Sequence, residues 1–337
     1  MGSPIRVGVI GTGRIGRLHA ELIERRVPGL ALSAVFDTDA AAANEVAKAF
    51  GAPAVGSAEE LITSREVDAV AICSSAGTHV DLIVAAAGAG KQIFCEKPLS
   101  LSLAEVDRAL AAVDEAGVLL QIGFNRRFDP GHKSVRDAVA AGAIGDVHLV
   151  RISSRDPEPP SRAYLELSGG LFLDTTIHDF DMARYVTGSE VVEVFARGTA
   201  RVDPSVADLG DFDTAVVTLV HEDGVLTAID NSRRAVYGYD QRVEAFGSAG
   251  MASSDNPSAH SGVLRTADGA RSARLPFFFL ERYIPSYLGE WAAFATAVRE
   301  SGASPVSGAD GRAPLVLGLA ALRSAREGRP VAVSEIG

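Results

Sequence analysis

Residues 5–16 read Ile5-Arg-Val-Gly-Val-Ile10 followed directly by Gly11-Thr-Gly13-Arg-Ile-Gly16. An apolar run that ends in Gly-x-Gly-x-x-Gly predicts a strand, a tight turn and a helix packed closely on that strand. We expect Gly11 to permit the turn, Gly13 to let a pyrophosphate approach the backbone, and Gly16 to let the helix pack on the sheet. The free N–H groups at the start of this helix would face the phosphates. The stretch therefore predicts a dinucleotide-binding βα unit.

An acidic residue, Asp37, follows the next apolar run and lies 21 residues after Gly16. A carboxylate at this place can accept both ribose hydroxyls and would repel a 2′-phosphate, so NAD is favoured over NADP. Thr38 stands where an NADP site often has arginine. The alternative is a plain βα turn, but the order of strand, turn, helix, strand and acid favours the nucleotide site.

The composition limits the classes of function. A chain of 337 residues suits two domains, and 47% hydrophobic with 22% charged residues is ordinary for a globular protein. The net charge of −11 argues against nucleic acid or an anionic membrane as partner. No apolar run approaches the ~18 residues of a membrane span and no secretory segment is recognised, so we expect a cytoplasmic protein. Cys73 and Cys95 lack CxxC spacing and are expected to be reduced core thiols, with no metal site.

Strand-length apolar runs alternate with Ala-rich helical stretches from residue 5 to about 124. This alternation is typical of an α/β fold with a doubly wound parallel sheet of the Rossmann type. The predicted strands are 5–10, 31–36, 68–73, 92–95 and 118–123, and the predicted helices lie near 14–26, 39–50, 78–89 and 102–116.

Ligands of such sheets bind outside the carboxyl ends of the strands. The residues expected to form that rim and bind the cofactor are Gly11, Thr12, Gly13, Arg14, Ile15, Gly16, Asp37, Thr38, Ser74, Ser75, His79, Glu96, Lys97 and Asn125.

The pattern changes after Phe124, where strands follow one another without long helices between them. We therefore predict an NAD-binding domain over 1–123 and a substrate-binding and oligomerisation domain over 124–337, an α+β domain with a large, mostly antiparallel open sheet. Its predicted strands are 147–154, 190–198, 213–220, 225–232 and 241–246, with a hairpin turn at Glu222-Asp-Gly224 and helices near 174–187, 284–300 and 310–327. Helices are available for one face of this sheet of about six strands, so the other face is expected to meet a second subunit in a homo-oligomer.

Glu96-Lys97-Pro98 stands where the strand over 92–95 leaves the sheet, which would place Lys97 in the cleft beside the nicotinamide. A lysine after a buried strand is more often a solvated loop residue, but the rim position favours a chemical role. Its ammonium can donate to a substrate hydroxyl and stabilise negative charge as that oxygen becomes an alkoxide.

Asp174-Thr-Thr-Ile-His178 falls in a predicted helix, so the acid and the histidine are expected on one helix face and in direct interaction. The carboxylate would favour the charged imidazole, which suits His178 as the base that takes the hydroxyl proton while hydride leaves the carbon. The alternative is a helix-terminal acid beside an unrelated core histidine. Asp179 and Asp181 are interpreted as salt-bridge or helix-surface residues without a catalytic role.

Taken together, these motifs resemble the glucose-fructose oxidoreductase, inositol dehydrogenase and MocA family over nearly the whole chain. Glu96-Lys97-Pro98 matches the family motif with a catalytic lysine, Asp174-x-x-x-His178 matches its acid and histidine dyad, and the glycines with Asp37 match its NAD site. The resemblance implies an NAD-dependent dehydrogenase, with Lys97, Asp174 and His178 catalytic, that oxidises a secondary ring hydroxyl of a cyclic polyol. It implies myo-inositol as substrate, 2-keto-myo-inositol as product, and a homotetramer.

Four segments match inositol dehydrogenases within that family: Gly123-Phe-Asn-Arg-Arg-Phe-Asp129, Ser154-Arg-Asp-Pro157, Ile177-His-Asp-Phe-Asp181 and Tyr237-Gly-Tyr-Asp240. By this resemblance the substrate-binding residues are Lys97, Arg127, Asp156, Asp174, His178, Tyr237 and Tyr287. A ring of hydroxyls requires several donors and acceptors, which these residues supply. Half-buried packing with a wet hydroxyl is an equal alternative for the two tyrosines.

The sequence departs from some relatives in Asp156-Pro-Glu-Pro-Pro160 and in Arg233-Arg234, and both segments could line the substrate side. They leave the polyol and its phosphorylation state open. The arginines could bind a sugar phosphate, although an exposed pair at a strand edge is the favoured interpretation. Another inositol isomer, a hexose or a sugar phosphate therefore stays an alternative substrate. A non-catalytic NAD-dependent regulator is disfavoured because Lys97 and His178 are both present.

Overall fold

The computed structural model describes residues 3–336, and the chain divides into two compact units. The first unit comprises the residues up to Asn125 together with Pro285–Ala313. The second comprises Arg126–Ile284 together with the residues from Pro314 onward. The predicted boundary after residue 123 lies close to the first of these divisions, but the segment 285–313, which the prediction gave to the second domain, belongs to the first unit.

The first unit contains a parallel five-stranded sheet in the order β2-β1-β3-β4-β5, which confirms the doubly wound fold. Its strands are β1 (Ile5–Ile10), β2 (Leu30–Phe36), β3 (Ala69–Ile72), β4 (Gln92–Glu96) and β5 (Leu120–Gly123). The helices between them are α1 (Arg14–Arg25), α2 (Ala40–Phe50), α3 (Ala58–Thr63), α4 (Ala76–Gly88) and α5 (Leu103–Ala116). All four residues of β3 are buried, as expected for a strand covered on both faces. Cys73 and Cys95 are buried free thiols, as predicted.

The second unit contains a seven-stranded sheet in the order β11-β10-β6-β9-β8-β7-β14. Its elements in chain order are α6 (Pro130–Ala140), β6 (Val147–Arg155), α7 (Arg162–Leu165), α8 (Leu171–Asp174), α9 (Ile177–Thr187), β7 (Val191–Thr199), β8 (Thr214–His221), β9 (Leu226–Ser232), β10 (Asp240–Gly247), β11 (Gly250–Ser254), the β12 (Val263–Thr266) and β13 (Gly269–Ser272) hairpin, and α10 (Phe279–Arg282). The chain ends with α11 (Ile284–Glu300), α12 (Gly308–Glu327) and β14 (Val331–Ala332).

Most neighbouring strands of this second sheet run antiparallel, as predicted, whereas β6 and β9 pair in parallel. The predicted turn at residues 222–224 joins β8 to β9. One face of the sheet contributes buried residues to a core that also contains residues of α9; examples are Ile152, Val217 and Ile229 from the sheet and Phe180 and Val186 from the helix. Among residues 3–336, no helix is both long and apolar enough to span a bilayer.

The predicted helix over 174–187 is wrong in one respect that matters for function. The structure has two helices, because α8 ends at Asp174 and α9 begins at Ile177. Thr176 starts the second helix: its carbonyl accepts from the Asp179 N–H at 2.8 Å, and its hydroxyl donates to Oδ1 of Asn231 on β9 at 2.7 Å. Asp174 and His178 therefore do not share one helix face.

Residues 285–313 belong to the first unit because they pack on its parallel sheet. Trp291 of α11 stacks on Phe94 of β4 with ring centroids 4.5 Å apart, and Phe294 meets the edge of both rings. Beyond α11, the Ile122 N–H of β5 donates to the Val306 carbonyl at 3.0 Å. The segment thus covers apolar side chains of the parallel sheet that would otherwise face water.

Candidate functional site

The turn between β1 and α1 has the geometry that the glycine pattern predicts. Gly11 has a φ of 90°, and a Cβ there would lie 2.5 Å from the Ser74 nitrogen. A Cβ on Gly16 would lie 1.8 Å from the Gly11 carbonyl oxygen. At Gly13, in contrast, a Cβ would meet no atom of the described chain within 4 Å apart from its neighbours. Two of the glycines are therefore required by the protein itself, whereas Gly13 borders open space that a ligand can approach.

Asp37 stands at the end of β2, beside this turn. Its Oδ2 accepts from the Thr12 N–H at 2.6 Å and from the Thr12 hydroxyl at 3.0 Å, and its Oδ1 accepts from the Asp39 N–H at 2.9 Å. Partial burial would raise the pKa of Asp37, but these hydrogen bonds outweigh it and hold that pKa below its usual value. The carboxylate is therefore ionised near neutral pH, as a ribose acceptor that repels a 2′-phosphate must be.

Ser74, Ser75 and His79 lie where β3 passes into α4. Ser75 is the residue before the helix, and the Ser74 hydroxyl bonds the Thr78 hydroxyl at 2.7 Å. The buried His79 ring lies 3.0 Å from the Ser74 carbonyl oxygen and 2.9 Å from the carbonyl oxygen of Pro98, which follows Lys97 in a cis peptide. Burial lowers the pKa of His79, so the neutral ring donates to one of the two carbonyls. His79 thereby links the loop after β3 to the loop that carries Lys97.

Glu96, at the end of β4, is held by a histidine that the sequence did not single out. The Trp291 indole N–H can only donate, and it donates to Nδ1 of His19 at 2.8 Å. His19 must therefore carry its proton on Nε2, which donates to Glu96 Oε1 at 2.7 Å. Tyr287 packs the edge of its ring on the same histidine, with centroids 5.5 Å apart. This buried network fixes the backbone position directly before Lys97.

Asn125 follows β5 and is 4% exposed, yet its side-chain Nδ2 has no hydrogen-bond partner among residues 3–336. A buried donor without a partner costs free energy unless a ligand or water satisfies it. The open space at Gly13, the ionised Asp37 and this free amide are all at the carboxyl ends of the parallel strands. The residues present therefore fit a dinucleotide.

In the second unit, Asp174 is held on both oxygens. The Tyr164 hydroxyl donates to its Oδ1 at 2.8 Å, and Nη1 of Arg233 lies 3.5 Å from its Oδ2. Asp156 lies in the same environment: burial raises its pKa to about 6, Arg233 opposes that rise and Asp174 adds to it. The structure thus brings the predicted residues Asp156 and Asp174 into one charged cluster and adds two residues, Tyr164 and Arg233. Arg233 is buried, which corrects the interpretation of Arg233-Arg234 as an exposed pair.

His178 is the second residue of α9, and the residue after it anchors that helix. Asp179 is fully buried and accepts from Nη1 of Arg126 at 2.7 Å and from Nδ2 of Asn231 at 2.7 Å. Arg126 and Asn231 belong to the segment before α6 and to β9, respectively. Asp179 is therefore a buried salt-bridge residue and not a helix-surface one, and it fixes the position of His178. The direct interaction between Asp174 and His178 stays a prediction.

The other residues predicted to bind the polyol, Arg127, Tyr237 and Tyr287, lie outside this charged cluster. Arg127 forms a two-pronged ion pair with the buried Asp181, with Nη2 to Oδ1 at 2.6 Å. The Tyr237 hydroxyl donates to Asp240 Oδ2 at 2.7 Å and accepts from Arg155 at 3.0 Å, in a side chain that is about half exposed. Tyr287 belongs to the first unit, beside His19. Their roles toward a substrate stay predictions.

The sequence of the chain matches two family descriptions that agree with this geometry. Residues 5–124 match "Oxidoreductase family, NAD-binding Rossmann fold", and residues 132–253 match "GFO/IDH/MocA C-terminal domain". The chain belongs to the GFO/IDH/MocA oxidoreductase family.

Several similar members of this family are inositol dehydrogenases. A myo-inositol 2-dehydrogenase of Thermotoga maritima is 49% identical over 98% of this chain and 99% of its own. A Lactobacillus casei myo-inositol dehydrogenase, solved with NAD(H) and myo-inositol, is 28% identical with a TM-score of 0.88 and covers 98% of this chain and 96% of its own. A scyllo-inositol dehydrogenase of the same species, solved with NAD(H) and scyllo-inositol, is 28% identical with a TM-score of 0.92, covering 98% and 100%.

A cavity of about 560 Å³ in the first unit has no part in this site. It is lined by the starts of β4 and β5, the C-terminal parts of α5 and α11, and the segment between α11 and α12, including Val118, Ser304 and Ser307. These lie toward the amino ends of the strands, opposite to the edge where a GFO/IDH/MocA protein of this fold places its nucleotide. None of the predicted site residues lines it.

Proposed function

We propose that this protein is an NAD-dependent dehydrogenase that oxidises a secondary ring hydroxyl of a cyclic polyol, with myo-inositol as substrate and 2-keto-myo-inositol as product. The observation that carries the proposal is the cluster of Asp174, Tyr164, Arg233 and Asp156. It supplies several donors and acceptors for hydroxyls, in a chain that also has a nucleotide turn with an ionised Asp37. The 49% identity to a myo-inositol 2-dehydrogenase supports the choice of substrate.

The roles of the residues follow from their chemistry. When bound, NAD supplies the hydride acceptor. Lys97 is assigned to the substrate oxygen, where its ammonium stabilises negative charge, and His178 takes the hydroxyl proton. Asp174, with its carboxylate oriented by Tyr164 and Arg233, orients the imidazole of His178. The turn at Gly11–Gly16, Asp37 and Asn125 hold the cofactor.

The second candidate substrate is scyllo-inositol, because a protein of similar structure was solved with that isomer bound. The two isomers differ in the orientation of one hydroxyl, so the fold does not separate them. The substrate is identified by measuring the rate of NADH formation with purified protein and NAD. The panel of substrates is myo-inositol, scyllo-inositol, D-chiro-inositol, glucose and glucose 6-phosphate, and the measurement is repeated with NADP. Strongest turnover on myo-inositol with NAD is the expected result. NAD binding without turnover on any member would contradict the proposal and favour a regulator.

The assignment of Lys97 is tested by Lys97→Ala. Loss of the ammonium removes the stabilisation of the developing alkoxide, so kcat should fall about 100- to 1000-fold. Affinity for NAD, measured by titration, should change by less than about 3-fold, because backbone and Asp37 contacts dominate cofactor binding. Lys48→Ala removes the same charge from an exposed position of α2 and should leave kcat unchanged. Unchanged turnover in the Lys97 variant would rule out the assigned role.

We also propose that the protein is a homo-oligomer assembled through the outer face of the seven-stranded sheet. Val220, Leu226, Leu149, Phe246 and Met251 are neighbours in register on successive strands and form an apolar row across this face. Leu226, Phe246 and Met251 are each about half exposed in the single chain. Contiguous exposed apolar side chains on a sheet face are typical of an interface. The homotetramer and the cytoplasmic location stay predictions.

A further inference from the structure

Arg233, the first residue after β9, is 1% exposed. Its Nη1 lies 3.5 Å from Asp174, but neither its Nε nor its Nη2 has a hydrogen-bond partner among residues 3–336. A buried guanidinium with unused donors is costly, and such donors are usually met by water or by a ligand. The next residue, Arg234, is exposed. The two adjacent arginines are thus opposite in environment, and only the first belongs to the cluster.

The charges around Arg233 decide what kind of ligand it can take. Asp174 and Asp156 both lie close enough to interact with it electrostatically. Two carboxylates around one cation would repel a phosphate dianion, so a sugar phosphate is a poor occupant. A neutral hydroxyl, however, accepts a hydrogen bond from a guanidinium N–H and donates its own hydrogen to a carboxylate. Neighbouring hydroxyls of a polyol satisfy both kinds of group.

We propose that Arg233 is a substrate-binding residue that selects an unphosphorylated polyol, donating from its unpaired N–H groups to a ring hydroxyl while Asp156 accepts from the same or the adjacent hydroxyl. This inference rests on the proposed polyol dehydrogenase function and names a residue that determines its substrate class. Tyr164 is a positioning residue. Its hydroxyl donates to Oδ1 of Asp174, while the guanidinium of Arg233 lies beside Oδ2 of the same carboxylate.

The primary experiment is calorimetric titration of myo-inositol into the protein saturated with NADH, for the wild type, Arg233→Lys and Arg233→Met. Arg233→Met should weaken binding about 10- to 100-fold, because it removes charged donors to a hydroxyl. Arg233→Lys keeps the charge but not the fork of donors, and should weaken binding about 10-fold. The matched control, Arg234→Met, should bind as the wild type does. NADH affinity should be unchanged in every variant.

Two results with the variants overturn the proposal: Arg233→Lys folds and binds myo-inositol as tightly as the wild type, or Arg234→Met weakens binding as much as the Arg233 variants. If Arg233→Met does not fold, the lysine variant decides. Wild-type binding of myo-inositol without turnover would remove the proposed dehydrogenase function while the binding role of Arg233 stands. The absence of wild-type binding to every unphosphorylated polyol of the panel would remove both.

A pH profile separates binding from a merely structural role. The groups that face Asp156 are Arg233, Arg126, Asp174, Asp179 and the hydroxyls of Tyr164 and Tyr239. Protonation of Asp156 removes an acceptor, so the affinity for myo-inositol, measured by the same titration, should show an acid limb below about pH 6. Loss of the Arg233 cation raises the pKa of Asp156, so this acid limb should move to higher pH in Arg233→Met and return in Arg233→Lys. An acid limb that does not move contradicts the proposal.

Mono-deoxy inositols give the sharpest test. One analogue lacks the hydroxyl that Arg233 contacts, and for it Arg233→Lys should change affinity by less than about 3-fold. The other analogues should lose about 10-fold, as myo-inositol does. An equal loss for all analogues would mean that the substitution acts through the fold of the site, and it would overturn a direct contact.

Discussion

Asp37 shows how one carboxylate can be fixed by its protein and still select a cofactor. Three donors, from Thr12 and Asp39, hold it ionised at the end of β2. Its role as a ribose acceptor could be predicted from the sequence. An acid that follows a strand at this distance from the glycines is typical of a dinucleotide site. The burial of Arg233 could not be predicted, because it depends on carboxylates at positions 156 and 174, which the fold alone brings near it.

We expect Asp37→Ala to reduce the preference for NAD over NADP by about 10- to 100-fold in kcat/KM, because repulsion of a 2′-phosphate is lost with the charge. The matched control is Asp39→Asn, which removes a charge two residues away and keeps the oxygen that caps α2. NADH and NADPH formation measured under identical conditions gives both ratios. A preference that survives in Asp37→Ala would show that another residue excludes the phosphate.

At the scale of elements, strands bounded by turn residues were the predictable part. Every strand of the parallel sheet was predicted, as were β6 to β10. Helix α6 was not, although Asp129 and Pro130 are its cap and first residue, because Val135 is the one apolar side chain that it buries. At the break between α8 and α9, the Thr176 hydroxyl donates to Asn231 of β9, a contact between residues distant in sequence that no local pattern encodes.

The β1–α1 turn gives a paired test in which two glycines respond differently. Gly16→Ala forces a methyl group against the Gly11 carbonyl oxygen and should lower the free energy of unfolding by about 1–3 kcal/mol. Gly13→Ala meets open space in a backbone with φ of −61°, so the melting temperature should be retained while NAD affinity falls at least about 10-fold. Thermal unfolding and NAD titration of both variants check this. Equal NAD affinity in Gly13→Ala and the wild type would mean that no pyrophosphate approaches there.

At the scale of the molecule, the outer face of the seven-stranded sheet is the feature that a single chain leaves unexplained. Its open face could be predicted because too few helices were available to cover both sides. The apolar row at one end of it could not, because the row depends on the register of five strands, including β11, which was not predicted.

We expect the double variant Leu226→Glu and Phe246→Glu to reduce the molar mass measured by light scattering to that of a monomer, because two carboxylates would be buried in the interface. Leu264→Glu makes the same exchange at an exposed position of the β12–β13 hairpin and should retain the wild-type mass. A wild type that is monomeric, or a double variant that keeps its mass, would remove this face as the interface.

The return of residues 285–313 to the first unit has a consequence for synthesis on the ribosome. The parallel sheet is translated first, but the ring that stacks on Phe94 and donates to His19 belongs to Trp291, which emerges only after most of the second unit has been made. Part of the apolar surface of the nascent first unit therefore stays uncovered until a segment more than a hundred and fifty residues later has been translated. Trp291 is also the only tryptophan of the chain, so its fluorescence will report when this segment packs on the parallel sheet.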